Sequence, residues 1–366
     1  MNRIGITQLL FSATLTIFLF STSCKRAEYY SEQDFYSTPK IDAHVHISTT
    51  SDQLARLTDR YNLRLITLNT DSGDSLHCRS QWDTAIVLVK KFPLRIAYLA
   101  CFHFDSLQWN NPSWEESVWQ ELEKNAAPGA VGVKLWKNIG MVHRDRDGSF
   151  IMISNDRFDN ILNRIEKKGL VLTGHFGEPR NCWLPLDSMT VKNDREYFGE
   201  HPNYHMYLHP EYPSYEDQLR ARDSMLIKHP GLKFVGCHLG SLEYDVDALA
   251  RTLDRFPNMA VDMAARICHL QYQSAVDYDK VRNFILRYQD RLLYGTDQFY
   301  SGGLDSTSFE YNRTVLFSDW LYFTSEQEMQ VAEVEKSFRG LHLPREVVDK
   351  IYFGNAKKWY GLNFRR

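Results

Sequence analysis

The chain has 366 residues, a formal net charge of −3, 43% hydrophobic residues and 24% charged residues. These values are ordinary for a folded globular protein, and they exclude a disordered, collagen-like or coiled-coil chain. The slightly negative net charge provides no positive electrostatic potential that would attract nucleic acid, so we expect no nucleic-acid partner. The length is sufficient for one large domain or two smaller ones.

The N-terminus has the pattern of a secretory signal. A single cation, Arg3, precedes an uncharged apolar stretch over residues 4–20. This stretch is shorter than the about 20 residues that a membrane-spanning helix needs. Small residues then lead into Cys24, as in the lipobox of bacterial lipoproteins. Ordinary signal cleavage beside a coincidental cysteine is the alternative.

This pattern predicts an exported lipoprotein, periplasmic or associated with the outer membrane. An acyl chain on Cys24 would hold a globular domain at a membrane face. The predicted organisation is a signal peptide over residues 1–23, a linker over residues 24–38 and a single globular domain over residues 39–366.

Eight short apolar runs rich in β-branched residues recur along the chain and alternate with helical patterns. They cover residues 40–47, 64–71, 95–102, 130–136, 170–177, 233–240, 259–266 and 291–299. Nearly continuous apolarity is typical of parallel strands that are covered on both faces. Amphipathic helices are predicted between them over residues 114–125, 158–168, 244–255 and 281–288.

The spacing of these strands predicts an α/β fold, a (β/α)8 TIM-type barrel. Most strands start about 30 residues apart, which is the length of a βαβ unit. An open, doubly wound sheet is the alternative, but no GxGxxG motif follows the first strand. The fifth and sixth strands start 63 residues apart, so we expect an insertion near residues 178–215. It would form a lid over the barrel mouth, or a structural excursion packed on the barrel.

Ionisable residues recur at the C-terminal ends of the predicted strands. His44 and His46 face the same side of the first strand, because side chains alternate along a strand, and two imidazoles can bind one divalent metal. Other strands end in Lys134, His175, His238 and Asp297. Burial of such groups is costly unless they are bound or paired. The recurrence therefore indicates a metal site in the mouth of the barrel.

The motifs at these positions resemble those of the amidohydrolase superfamily, in particular its amidohydrolase-related branch, which also contains metal-dependent decarboxylases. The resemblance extends over residues 41–362. It rests on IDAHVH in the first strand, LTGH in the fifth, GCHLG in the sixth, YGTD in the eighth and the closing segment GNAKKWYGL. It implies a metal-dependent enzyme but does not specify the substrate.

The resemblance also implies roles for individual residues. The expected ligands of a catalytic metal are His44, His46, His175 and Asp297, and Asp297 would also take a proton from the reacting water. His238 is expected to be either a ligand of a second metal or a general acid/base. The implied cofactor is one or two divalent ions per chain, with zinc favoured and manganese or iron as alternatives.

Lys134 has two open interpretations. In binuclear members of the superfamily a lysine at the end of the fourth strand is carbamylated and bridges two metals, whereas decarboxylase-like members lack it and use one metal. The alternative for Lys134 is a free cation that binds a substrate anion.

Substrate-binding candidates surround the predicted metal site. Arg266 ends the seventh strand, and its guanidinium suits a carboxylate or phosphate, with a salt bridge to a loop acid as the alternative. Further candidates lie just after the metal-site residues of the fourth and fifth strands: Trp136, Glu178 and Arg180.

Five cysteines lie in the predicted domain. Three of them lie in or beside apolar runs and are predicted to be packing residues: Cys101, Cys237 and Cys268. Cys78 and Cys182 lie in polar segments and are candidates for a disulfide in an oxidising compartment.

We therefore predict a metal-dependent hydrolase that cleaves an amide, ester or lactone bond of a small organic substrate. The second hypothesis is a metal-dependent lyase that decarboxylates or hydrates a carboxylated acid. The third is a lipid-anchored ligand-binding protein on the same scaffold. The sequence does not indicate an oligomeric state.

Overall fold

The computed structural model describes residues 27–364 of the chain. The predicted signal peptide and Cys24 lie outside the described residues. None of the helices within this described range is both long and apolar enough to cross a membrane. The last part of the segment predicted as a linker packs on the domain, since Phe35 is fully buried and its ring lies 5.2 Å from that of Phe317.

Within residues 27–364, nine parallel strands form one curved sheet. In chain order they are β1 (Lys40–Ile47), β2 (Leu63–Leu68), β3 (Ile96–Ala100), β4 (Gly132–Leu135), β5 (Val171–Gly174), β6 (Phe234–Gly236), β7 (Met259–Asp262), β8 (Leu292–Leu293) and β9 (Gln298–Tyr300). Each strand pairs with the next from β1 to β8, and β9 pairs with β1. The predicted TIM-type barrel is confirmed.

The eighth predicted strand is divided into β8 and β9. Between them the carbonyl of Tyr294 accepts a hydrogen bond from the backbone N–H of Ala43 (2.9 Å), and Asp297 has a φ of 67°. A positive φ is uncommon for a residue with a side chain, so the chain bends sharply at Asp297. The bend lets one predicted strand pair with β7 at its start and with β1 at its end.

Helices surround the sheet within the described range. They are α1 (Gln53–Arg60), α2 (Ser75–Lys91), α3 (Trp114–Ala126), α4 (Asn138–Met141), α5 (Asp159–Lys167), α6 (Lys192–Glu200), α7 (Tyr215–Lys228), α8 (Val246–Arg255), α9 (Ile267–Val276), α10 (Tyr278–Tyr288), α11 (Ser306–Thr324), α12 (Arg345–Asp349) and α13 (Asn355–Trp359). The four helices predicted from amphipathic periodicity correspond to α3, α5, α8 and α10. Their periodicity arises because one side of each helix packs on the sheet.

The insertion after β5 lies where the strand spacing predicts it. It consists of short 3-10 turns and α6, and it has a small apolar core of its own. That core is formed by Cys182, Met189, Phe198 and Met206. The side chain of Asn181 donates to Asp194 of α6 (2.9 Å), which ties the start of the segment to its helix. That the segment acts as a lid stays a prediction.

An antiparallel hairpin outside the barrel was not predicted from the sequence. Its strands are β10 (Glu328–Val331) and β11 (Val334–Arg339). In β11, Val334 and Phe338 are buried, and the residues between them and Arg339 are exposed. The backbone carbonyl of Glu333 accepts from the N–H of Lys192 (2.9 Å), so the hairpin turn contacts the insertion.

Cys78 and Cys182 do not form the disulfide that their polar surroundings suggested. Both are buried free thiols, as are Cys101 and Cys237, and Cys268 is a half-buried free thiol. Each thiol contacts another group: Sγ of Cys78 in α2 lies 3.3 Å from Oδ1 of Asp71, and Sγ of Cys182 in the insertion lies 3.1 Å from the carbonyl of Tyr204.

Candidate functional site

A register shift in β1 positions the two histidines of its HxH motif. Ile41 and Ala43 pack in one apolar cluster, whereas Val45 and Ile47 pack in another. The pairing of β1 with β2 shifts between Asp42 and Val45, which marks a bulge or irregularity there. Such an irregularity redirects side chains relative to strict alternation. This irregularity lies in the part of β1 that carries His44 and His46.

Three of the predicted ligands converge on one carboxylate. The Nε2 atoms of His44 and His46 lie 3.4 and 3.2 Å from Oδ1 of Asp297. Ligand atoms of His44, His238 and Asp297 all lie within 4.8 Å of one another. The backbone N–H of Asp297 donates to the carbonyl of His44 (2.8 Å), which fixes the bend after β8 against β1.

The outer nitrogens of these imidazoles are held by acceptors. Nδ1 of His44 contacts Oδ2 of Asp262 at 2.9 Å. Nδ1 of His46 lies 3.0 Å from the carbonyl of Leu68, and Nδ1 of His238 lies 2.8 Å from that of Ala264. An acceptor at Nδ1 fixes the ring orientation and leaves Nε2 as the ligating atom.

His175 completes the ring of imidazoles. It is 7% exposed, and its ring centroid lies 4.4 Å from that of His238. Its Nε2 is buried without a hydrogen-bond partner among the described residues, and Oε2 of Glu178 is 3.7 Å away. A buried polar atom without a partner is costly and requires an explanation. A divalent ion fits this position, since imidazole and carboxylate groups are suitable ligands for zinc, manganese or iron.

Burial and charge act in opposite directions on these groups. Burial lowers the pKa of His44, but the nearby acidic groups, with Asp262 the strongest of them, together outweigh burial and raise that pKa to about 10. Burial lowers the pKa of His175 to about 4 and also holds that of His238 well below its usual value. Burial tends to raise the pKa of Asp297, but the imidazoles of His44, His46 and His238 together outweigh burial, so this pKa is well below its usual value.

Lys134 lies at the end of β4 and is 2% exposed. Its Nζ donates to Sγ of Cys237 at 2.7 Å. Sγ of Cys237 also lies within 4.8 Å of ligand atoms of His44 and Asp262. The predicted packing residue Cys237 is therefore next to the histidine cluster, between it and Lys134.

Glu178 forms a buried ion pair with Lys137, the residue after Trp136. Burial tends to raise the pKa of Glu178, but Lys137 and His175 together outweigh burial and hold this pKa well below its usual value. Nζ of Lys137 also lies 5.5 Å from the ring of Trp136. The structure thus brings two predicted substrate-binding residues, Glu178 and Trp136, together around Lys137, at the edge of the cluster next to His175.

The two predicted arginines have other surroundings. The Arg180 guanidinium lies 4.5 Å from the ring of Tyr244, and the residue is exposed. Burial lowers the pKa of Arg266, but the carboxylates of Asp194, Glu243 and Glu178 outweigh it and raise this pKa. Nη1 of Arg266 donates to the carbonyl of Ala265 (2.9 Å), and its Nε is buried without a hydrogen-bond partner among the described residues. Both interpretations of Arg266, the binding of a substrate anion and a salt bridge to a loop acid, therefore stay predictions.

Asp262 and Asp42 are the residues of the site that sequence reasoning missed. Oδ1 of Asp262 accepts the backbone N–H groups of His238 (2.8 Å) and Ala264 (3.2 Å) in addition to its contact with His44. Asp42 accepts from the N–H and the hydroxyl of Thr296, at 3.0 and 2.5 Å. Each is a carboxylate inside an apolar strand, and that departure from the apolar pattern was the available signal.

A cavity of about 580 Å³ borders the cluster at Asp297. It lies between the ends of β7 and β8, α11 and the turn of the β10–β11 hairpin. Its polar lining includes Asp297, Asp319, Glu333, Asn193 and Gln271. The cavity is large enough for a small organic molecule beside the carboxylate of Asp297.

Comparisons with known structures agree with this architecture. A 2,6-dihydroxybenzoate decarboxylase complexed with 2,6-dihydroxybenzoate has a TM-score of 0.53 at 16% identity, over 89% of this chain and 100% of that one. An amidohydrolase II structure has a TM-score of 0.52 at 15% identity, over 88% and 99% of the two chains. At these identities the likeness shows the fold alone.

The sequence comparison is more specific about the family. No curated protein matches this chain significantly. The family model described as amidohydrolase matches residues 41–362, a range that contains all the residues of the candidate site. On this match, and with the TIM-type barrel in agreement, the chain belongs to the amidohydrolase family.

Proposed function

We propose that this protein is a metal-dependent hydrolase that cleaves an amide, ester or lactone bond of a small organic substrate. The observation that supports it best is the approach of two imidazole Nε2 atoms, of His44 and His46, to the same oxygen of Asp297 at 3.4 and 3.2 Å. With both Nδ1 atoms held by acceptors, these groups can hold an ion without turning their rings, once His44 releases the proton of its Nε2.

The ligands proposed for the ion are His44, His46, His175 and Asp297. Zinc is the favoured ion, and manganese or iron also suits this donor set. When bound, such an ion supplies Lewis acidity that polarises a substrate carbonyl and makes water easier to deprotonate.

The residues of the chain supply the proton transfers. Asp297 is ionised beside His44 and His46, so its second oxygen can accept a proton from the attacking water and return it to the leaving group. His238 is neutral, and its Nδ1 is engaged by the carbonyl of Ala264. Its Nε2 is therefore available either to a second ion or to a polar atom of the substrate.

The chemical state of Lys134 determines whether the site would hold one ion or two. If the amine adds to carbon dioxide, an N–C bond forms, a proton is released and the anionic carbamate would supply the further ligand that a second ion needs. If it does not, the ammonium group lies beside Cys237 and can attract a substrate anion. Elemental analysis together with the intact mass under non-denaturing conditions separates these states, because only the carbamate adds the mass of carbon dioxide and loses it on acidification.

The cavity beside Asp297 favours a hydrolase acting on a substrate without a carboxylate near this wall. Asp319 and Glu333 border it together with Asp297. The negative charge of Asp297 and Glu333 would repel a substrate carboxylate, whereas the amides of Asn193 and Gln271 suit hydroxyl or amide groups.

A lyase that releases carbon dioxide from a carboxylated acid is the second candidate. It is motivated by the motif resemblance to the amidohydrolase-related branch, which contains metal-dependent decarboxylases, and a 2,6-dihydroxybenzoate decarboxylase has the same fold. The two reactions differ in their products: hydrolysis incorporates oxygen from isotopically labelled water, and decarboxylation releases carbon dioxide without incorporating it.

The test uses the full chain stripped of metal with a chelator and assayed against panels of esters, lactones, amides and aromatic acids. The proposal expects hydrolysis of a member of the first three panels that is lost with the metal and restored by zinc. Activity only on the acids would favour the lyase. Activity that does not depend on metal would contradict both mechanisms.

We also propose that the chain is an exported lipoprotein anchored through Cys24. Labelling of cells with a radioactive fatty acid should mark the chain, and Cys24→Ala should abolish the label. Cys268→Ser is the matched control and should keep it. A label that survives Cys24→Ala would contradict the anchor.

A further inference from the structure

A second cluster of metal-binding residues lies at the ends of β2 and β3, apart from the candidate catalytic site. Asp71 follows β2, Cys78 lies in the first turn of α2, and His103 follows β3. One ligand atom from each of these residues lies within 4.8 Å of the other two. None of the three belongs to the histidine cluster at β1, β5, β6 and β8.

The two sides of the Asp71 carboxylate are used differently. Oδ1 lies 2.8 Å from Nδ1 of His103 and 3.3 Å from Sγ of Cys78. Oδ2 accepts from the N–H of Phe104 (3.0 Å) and from Nδ2 of Asn138 (2.6 Å). Protein donors therefore fix the orientation of the carboxylate, and its other oxygen is directed at a sulfur and an imidazole nitrogen.

We propose that Asp71, Cys78 and His103 form a second metal site, for a zinc ion that ties the loops after β2 and β3 together. In tetrahedral zinc sites, neighbouring ligand atoms are about 3.3–3.6 Å apart, given the metal–ligand bond lengths. The Cys78–Asp71 contact has this separation. The His103–Asp71 contact is about half an ångström shorter, and a small movement of the His103 ring, which is 26% exposed, would open it.

The charges of these groups suit a divalent cation. A carboxylate, a thiolate and a neutral imidazole together balance the charge of one zinc ion. Binding would release the thiol proton of Cys78 to solvent and move the His103 proton from Nδ1 to Nε2. Sulfur, nitrogen and oxygen together favour zinc over magnesium or calcium, which prefer oxygen ligands.

The surroundings also favour a built site over a simple hydrogen-bonded cluster. Cys78 is 3% and Asp71 9% exposed, so both ligands are enclosed, and the partly exposed His103 provides the way in. Nδ2 of Asn138 also donates to the carbonyl of Asp71 (3.1 Å) and connects the cluster to the loop after β4. An ion at this position would therefore stabilise the loops beside Lys134 without entering the candidate catalytic site.

Cobalt binding tests the proposal and does not depend on the hydrolase assignment. The full chain, reduced and stripped of metal, is titrated with Co²⁺, and the thiolate-to-cobalt charge-transfer band in the near ultraviolet is recorded. We expect the band to saturate with one equivalent bound at this site. Cys78→Ser should abolish it, and the matched variants Cys268→Ser and Cys237→Ser should retain it.

Three results would overturn the second site. They are the absence of the band in the reduced full chain, its persistence in Cys78→Ser, and its loss only in Cys237→Ser, which would place the thiolate in the histidine cluster. If Cys78→Ser does not fold, His103→Ala provides the test, because it keeps the thiol and should weaken Co²⁺ binding at least about tenfold. Unchanged binding in that variant would equally overturn the proposal.

The neighbouring thiol of Cys101 supplies a second readout. A hydrogen bond with Cys78 and burial raise the pKa of Cys101. When the chain is isolated with zinc and without reductant, alkylation after denaturation and removal of the zinc should modify both Cys78 and Cys101, because neither is in a disulfide. A Cys78–Cys101 disulfide under these conditions would contradict the metal site, because it would remove the thiolate ligand.

Discussion

The two sides of the candidate catalytic site differ in the groups that hold their polar side chains in place. On the side of β1, β6 and β8, the Nδ1 atoms of His44, His46 and His238 all contact fixed acceptors. On the side of β4 and β5, Lys134 donates to Cys237, and the charge of Glu178 is balanced by Lys137.

The difference shows which part of the site is preorganised. The first side needs no rearrangement to present its Nε2 atoms, because acceptors on the backbone and Asp262 already orient the rings. On the second side, Nε2 of His175 has no hydrogen-bond partner among the described residues. The charged side chains of this second side contact other side chains and not fixed backbone acceptors. We therefore expect these side chains to move when an ion or carbon dioxide binds.

The largest effect is expected from Asp297→Asn on the preorganised side. Loss of a general acid/base should lower kcat by about 10²–10⁴-fold. Steady-state kinetics on the substrate identified by the panels measures it. The matched control is Asp279→Asn, an exposed acid in the first turn of α10 that should leave kcat unchanged. Full activity of Asp297→Asn would remove this residue from the mechanism.

Glu178→Gln tests the charge balance of the second side. It leaves Lys137 without its buried partner, which should lower the free energy of unfolding by about 2–3 kcal/mol, a value reduced because Lys137 is 22% exposed. Urea unfolding measures the change. The double variant Glu178→Gln/Lys137→Met should recover most of it. A single variant as stable as the original protein would show that the pair contributes little.

Asp262→Asn tests the preorganised side of the site, with a smaller expected effect. The variant weakens the acceptor for Nδ1 of His44 but keeps the four proposed ligands. Such a change should reduce metal affinity about 10–100-fold. Competition with a chromophoric chelator measures affinity, and the exposed Asp254→Asn is the matched control. Equal affinity in both variants would mean that His44 does not depend on Asp262 for its orientation.

The smallest expected effect is a change in how the free energy of unfolding depends on pH, and it concerns Asp319. This residue supports the bend after β8, because its carboxylate accepts a hydrogen bond from the Tyr294 hydroxyl (2.9 Å). Burial raises the pKa of Asp319 to about 7. An unfolded aspartate has a pKa of about 3.9, so the folded state retains a proton that the unfolded state has lost between these values.

The contribution of Asp319 to stability should therefore fall as pH rises from about 4 to about 7. Asp319→Asn should flatten this part of the pH profile of the unfolding free energy, measured with urea. Part of the slope should remain, because burial also raises the pKa of Asp42 to about 7. An unchanged profile would show that Asp319 is solvated in the folded protein.

The sequence by itself determined the barrel and the set of polar strand ends. Eight apolar runs at a regular spacing have few arrangements other than a parallel barrel, and ionisable residues at their ends must then meet at one mouth. The HxH motif, His175, His238 and Asp297 could be found in this way, and so could the insertion after β5. All of these signals are local in the chain.

The tertiary structure decided which of these residues meet and what orients them. The division of the eighth strand at Asp297 depends on hydrogen bonds to β1, and the contact of Asp262 with His44 joins residues 218 positions apart. The placement of Arg266 among acids and of Cys237 beside Lys134 depends on loops with no periodic pattern. The hydrophobic periodicity of a segment shows which of its faces packs on the core. It does not show which distant segment that face will contact, because the contact depends on the residues of both segments.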